Sequence, residues 1–204
     1  LAELGGPRHP FKIMECSIKR FPLGQYSQTV VQAALEVRDK VRSADDIAEV
    51  RIRTGSTAVR LMAGDPEKWQ PATRETADHS MPYTVAVALI HGGVHEHHFD
   101  DEHLRDPKLR ALTRRVKVEV SEEADRRMPE AMLCELKLVT KSGTTHSAVV
   151  EYHRGHWKNP MTDAEVEAKF RKLAGGLRPP DRTSRLLERL GKLEDVADAG
   201  EIAR

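Results

Sequence analysis

Residues 85–90 read VAVALI, a run with no polar face. A helix that is apolar all round has to be surrounded. The run falls well short of the roughly 20 apolar residues that cross a bilayer, so protein must do the surrounding. The residues before it, ETADHS at 75–80, are polar instead. Asp78 or Ser80 can cap a helix start, and Pro82 suits its first turn, where no amide partner is lost. The segment therefore predicts a buried helix from about Ser80 to His91. With 204 residues, 39% of them apolar, the chain is long enough for one medium domain, or one domain plus an appendage, to cover it.

Around that helix the pattern changes period several times. FKIMECSIKRF, from Phe11 to Phe21, alternates loosely and reads as a strand that Pro22 and Gly24 break. YSQTVVQAALEVRDKV carries Val30, Ala34, Val37 and Val41 on one helical stripe, with Ser27 at the N-cap position. Ile47 to Arg53 reads as a strand ended at Gly55, and Asp65 to Arg74 as a polar loop. Two short helical turns are expected around Pro107, then a strand in VKVEVS. A hairpin follows in MLCELKLVTKSGTTHSAVVEY, turning at KSGTT. The order is β-α-β-α-β-β-β over residues 11–152, an α+β domain with a mixed or antiparallel sheet and helices on one face.

Residues 153–204 contain no strand pattern. Thr162 and Glu165 form a capping box ahead of Val166, Phe170 and Leu173 on one face. After LRPPD a last helix is expected to carry Leu186, Leu187, Leu190 and Leu193. Both helices are expected to belong to a separate helical layer. At the other end, LAELGGPRHP begins at Leu1 and reads as the tail of a helix with a Gly-Gly-Pro stop. Residues 1–10 are thus expected to be a linker from a helical domain earlier in a longer protein.

Lys plus Arg (33) nearly match Asp plus Glu (32), and the net charge is +1. That balance gives no electrostatic footprint for nucleic acid or a membrane surface. No signal-peptide pattern appears. Cys16 and Cys134 lie far apart, fit reduced thiols, and are too few to ligate a typical iron–sulfur cluster. A cytoplasmic protein without membrane or nucleic-acid partners is expected.

Several segments carry candidate chemistry. The start of the buried helix, at Asp78, His79 and Ser80, can be a structural cap or an anion pocket that uses free amides and the positive helix end. Lys19 and Arg20 sit side by side in SIKRFP and face opposite ways. HGGVHEHHFDDEHL holds five of the ten histidines. Its spacings match neither HExxH nor a Cys/His finger, so a solvated loop and no metal are expected. RKLAGGLRPPDRTSRLLERLGK is basic but lacks the interleaved aromatics of single-strand binders.

Four stretches together resemble the MmgE/PrpD family, which contains 2-methylcitrate dehydratase: SIKRFPLGQYSQTVVQAALE, RETADHSMPYTVAVALIHG, VVEYHRGH and NPMTDAEVEAKFRKLA. In order and spacing they span residues 11 to about 174. The resemblance implies an enzyme with a helical domain, an α+β domain and a C-terminal return of the chain to the helical domain. It implies a metal-independent, cofactor-free lyase, a hydro-lyase acting on small di- or tricarboxylates, and a homodimer. By motif match Lys19 is a pocket lysine, and His79 and Tyr83 lie in the family's most recognisable motif. Arg20, Asp78 and Ser80 are expected to bind substrate. The segment after Phe21-Pro22 reads LGQYSQT, where family dehydratases often carry an acid and a histidine, so dehydratase, decarboxylase and epimerase branches all stay open. The alternative is a stand-alone α+β ligand-binding or structural subunit.

Overall fold

The computed structural model describes residues 4–6, 10–198, 200 and 202; the expected linker over residues 1–10 lies partly outside them. In chain order the elements are α1 (Gln28–Arg38), β1 (Ile47–Thr54), α2 (Ser56–Ala63), α3 (Arg74–Asp78), α4 (Met81–His91), α5 (Asp101–Arg105), α6 (Pro107–Thr113), β2 (Val116–Val120), α7 (Glu122–Arg127), β3 (Cys134–Thr140), β4 (Thr145–Val150), α8 (Asp163–Ala174) and α9 (Pro180–Leu190). They fall into two units, Leu1–Pro160 and Met161–Arg204.

The first unit is α+β. Its sheet has the order β2-β1-β3-β4. β1 and β2 pair in parallel, with Val50 opposite Val116. The long crossover through α2 to α6 supplies the chain length that a parallel pair needs. β1–β3 and β3–β4 are antiparallel. The β3–β4 turn is the expected one: Gly143 sits at φ +85° and its N–H donates to Thr140 O at 2.9 Å. Along β3, Cys134, Leu136, Leu138 and Thr140 are buried while Lys137 is exposed. One sheet face therefore meets α1 and α4, and the other meets solvent with Arg53 and Glu135 paired at 3.0 Å across strands. α4 is buried from Met81 to Leu89, as its apolar run requires. Gly92 ends it at φ +75°, a left-handed conformation that a side chain disfavours.

Three local expectations fail. Phe11–Phe21 is not a strand. Residues Lys12–Glu15 form a 3-10 turn, and Phe11, Ile13 and Met14 are exposed. The alternation there finds no neighbouring strand, so the amides of Met14 and Cys16 close local turns instead. The sheet accordingly has four strands among the described residues rather than five. Ser27 does not cap α1 with its side chain, because a 3-10 turn at Gln25–Ser27 runs straight into the helix. α2, α3 and α7 were not anticipated; Ala58 and Met62 of α2 sit one helical turn apart and are buried.

The second unit has no strand among its described residues. The capping box forms: Thr162 Oγ1 accepts the Glu165 N–H at 3.3 Å and the Glu165 carboxylate accepts the Thr162 N–H at 2.8 Å. Leu193 lies beyond α9, in a 3-10 turn at Leu193–Asp195. Leu173, Leu177, Leu190 and Leu193 are exposed. No helix among the described residues is long and apolar enough to cross a membrane.

The sidedness of the sheet is open to measurement. Leu138→Ala, at a fully buried site, should lower the unfolding free energy by about 2–5 kcal/mol. Val149→Ala, on the open face and 64% exposed, should change it by about 0.5 kcal/mol or less. Urea denaturation of both variants checks this, and equal losses would contradict the one-sided core.

Candidate functional site

Segments far apart in the sequence meet at the N-terminal end of α4. The loop before α1 is held by Gln28, whose buried side chain accepts the Phe21 N–H at 3.2 Å and donates to Phe21 O at 3.0 Å. Upstream, the Ile18 N–H donates to Gly155 O at 2.8 Å; downstream, the Gly24 N–H donates to Asp78 O at 2.9 Å. Gln25 Nε2 lies 3.0 Å from His153 Nε2. His153 is buried, and its Nδ1 lies 3.0 Å from Arg154 O. A carbonyl only accepts, so Nδ1 carries the proton and Nε2 receives the Gln25 amide hydrogen. Three of the four stretches that carry the family resemblance are thereby joined through named hydrogen bonds.

The first two of these stretches line a cleft of about 560 Å³ together with Lys68; its lining includes Lys19, Gln25, Tyr26, Glu75 and His79. Gly24 also lines it, and an added Cβ there would stand 2.4 Å from Met62 Cε and 3.1 Å from His79 Cδ2, so any side chain would have to displace the end of Met62. His79 ends α3, and its Nδ1 is in close contact with Asp78 Oδ1. The carboxylate accepts the hydrogen bond from Nδ1–H, so in the neutral imidazole Nε2 carries the lone pair.

The other expected site residues lie elsewhere. Ser80 is fully buried: its Oγ accepts the Tyr83 N–H at 3.1 Å and donates to Lys68 O. The mouth of α4 is therefore closed by its own cap and by the Lys68 carbonyl, and is not an open anion pocket. Tyr83 does not line the cleft. Its hydroxyl donates to His98 O at 2.6 Å, and burial, with Asp100 and Asp106 nearby, pushes its acidity well below that of an ordinary phenol. Arg20 is exposed, with its guanidinium 5.3 Å from the Phe21 ring centre. Sequence reasoning overlooked Lys68, which sits in a segment read only as a polar loop, and Gln25, Gln28 and His153, whose roles depend on long-range partners.

A larger cavity, about 660 Å³, lies against Leu89 and Ile90 near the other end of α4, with Arg38, Arg42, Lys108 and Arg115 around it. None of the expected site residues lines it. At that same end the five histidines gather. His91 stacks on His98 with ring centres 4.6 Å apart, and His97 and His103 lie 4.1 and 5.2 Å from His98. Burial, reinforced by the surrounding imidazoles, pushes His98 down to about 3.

Residues 21–194 match the family model for the MmgE/PrpD C-terminal domain; the match starts just after Lys19 and Arg20. The chain is 25% identical to cis-aconitate decarboxylase of Homo sapiens over 191 residues, 90% of this chain and 38% of that protein. It is 32% identical to 2-methylcitrate dehydratase of Escherichia coli (strain K12) over 147 residues, 67% of this chain and 29% of that protein. Against 2-methylcitrate dehydratase, mitochondrial, of Yarrowia lipolytica it is 30% identical over 149 residues, 67% of this chain and 27% of that protein. The chain thus spans well under half the length of these relatives.

Two measurements test the local geometry. Ser80→Ala removes the α4 cap and should lower stability by about 1 kcal/mol, within the usual range of about 0.5–2 for such caps; a neutral result in urea denaturation would contradict the capping role. The second test is pH. Burial lowers the pKa of His153 in the fold, so the unfolded chain, titrating near 6.5, binds the proton more readily. Stability is then fully present above about pH 6.5 and is lost as pH falls through the lowered value. His91, His98 and His156 are shifted the same way. The urea midpoint should drop from pH 7 to pH 5, and His153→Gln, which cannot charge, should flatten part of that drop.

Proposed function

Because the chain belongs to the MmgE/PrpD family, we propose that it supplies the carboxylate-binding wall of a lyase acting on small di- or tricarboxylates. The observation that supports this is the convergence of Lys19, Lys68 and His79 on one cleft. Its volume falls within the roughly 300–1,000 Å³ common for small-ligand sites. Removing a proton next to a carboxylate builds negative charge on that carboxylate, and a positioned ammonium stabilises the charge as it forms. Lys19 takes that role, and Lys68 holds a second carboxylate. His79, oriented by Asp78, offers Nε2 to take or return a proton. No metal step enters this reading.

The reaction is proposed to be the elimination of water from a 2-methylcitrate-like hydroxy-acid. The second wall and the remaining proton-transfer groups are assigned to a helical domain. Leu173, Leu177, Leu190 and Leu193, all exposed, support such a partner, because apolar surface left in water contributes nothing to folding.

Turnover by the protein in which this chain is joined to its helical domain tests the reading, with a panel of citrate-like acids. Lys19→Ala should lower turnover about 100-fold or more. Lys19→Arg should fail to restore it, since a planar guanidinium does not replace a compact ammonium. Near-normal turnover by Lys19→Ala would remove Lys19 from the site. Robust turnover by the 204-residue chain alone would overturn the assignment of chemistry to a second domain.

A further inference from the structure

We propose that His91, His98 and His103 form a binding site for one divalent transition-metal ion of the zinc class. The three side chains come from different elements: His91 from the last turn of α4, His98 from the 3-10 turn Glu96–Phe99, and His103 from α5. One ring nitrogen from each lies within 4.8 Å of the others. The ring centres are 4.6, 5.6 and 5.2 Å apart. Three imidazoles around one tetrahedral ion, bound at about 2.0–2.1 Å, place their ring centres about 5 Å apart. The rings already have that separation, and the nitrogens, within 4.8 Å of one another, have to close by rotation of the side chains to meet one ion.

The supporting bonds fit the same reading. His103 Nδ1 lies 2.8 Å from Asp100 Oδ1, which also accepts the His103 N–H at 2.9 Å. The carboxylate accepts the hydrogen bond from Nδ1–H and leaves Nε2 as the ligand atom, the carboxylate–histidine arrangement that orients and strengthens metal-bound imidazoles. His98 is buried, and its main chain is anchored by the Tyr83 hydroxyl. In the metal-free state its Nδ1 accepts the His95 N–H at 3.0 Å. Coordination transfers that lone pair to the ion and leaves the half-buried His95 amide to water, a loss of one hydrogen bond against the gain of a metal–nitrogen bond. His91 is exposed, so the fourth position opens to solvent. Borderline-soft ions such as Zn²⁺, Co²⁺ and Ni²⁺ are the class that imidazole ligands suit.

The test uses the whole chain without an affinity tag, stripped with chelator. Zinc is titrated by calorimetry and Co²⁺ by visible absorption. The expected result is saturation at one equivalent with the intense visible bands of tetrahedral Co²⁺. His91→Ala and His103→Ala, both at or near the surface, should each weaken binding at least 10-fold, with circular dichroism confirming the fold. Asp100→Asn should weaken it about 10-fold through the orientation of His103. His146→Ala, on β4, should change nothing. Absence of saturable uptake overturns the proposal. So does unchanged affinity in either single variant, which would assign the binding to the loop's other imidazoles.

Discussion

Burial of α4 on every side is the constraint on which the rest of this fold depends. A helix apolar all round cannot lie on a surface. Here it is packed against α1, α6 and β2, and every residue from Met81 to Leu89 is buried. Polar groups that meet water can then occur only at its two ends. About 1.5 Å of rise per residue over 11 residues sets those ends about 16 Å apart. His79 and its cleft lie at one end; His91 and the imidazole cluster lie at the other. The polar mouth of an otherwise apolar segment is thus a consequence of packing first. Chemistry becomes available there because no other part of the helix reaches water.

A second set of interactions turns that end into a cleft. Buried side-chain amides and imidazoles must find partners or forfeit their hydration. Gln28 is satisfied by the backbone at Phe21, and the Gln32 side chain accepts the Arg154 N–H at 2.7 Å. His153 is satisfied by Gln25 and by Arg154 O. These contacts draw the loop carrying Lys19 and the segment after β4 onto α1. The residues that hold the lysine in place are thus distant from it in sequence and chemically unremarkable one by one.

That division explains how much was legible beforehand. α4, its Ser80 cap, the Gly143 turn and the Thr162 box depend on residues within a few positions of one another, and they read correctly. Lys19 and His79 were singled out by motif, and both line the cleft. Phe11–Phe21 alternates like a strand but lacks a neighbour to pair with, and pairing cannot be read from one segment. Tyr83 shares a motif with His79 yet lies inside the first turn of α4, where its ring packs toward Phe99. Ser80 was offered two roles, and the Lys68 carbonyl decides between them by occupying its hydroxyl. The histidine spacings looked uninformative because three separate elements deliver His91, His98 and His103 to one place.

Electrostatics sets the remaining requirement on the cleft. With a net charge of +1 the chain has no strong net field to draw in the dicarboxylate proposed as its ligand, and at physiological salt fields fade over about 8 Å. Attraction must come from direct contact with Lys19 and Lys68, against Glu75 in the same lining. Lys19 is exposed and Lys68 half-buried in this chain. An ion pair in water is worth about 0–1 kcal/mol. The same pair gains several-fold when a second wall lowers the local dielectric. A cleft with cations on one side and solvent on the other therefore binds weakly, and the proposed chemistry requires that it be covered. This is the physical ground for assigning the opposite wall to a helical domain.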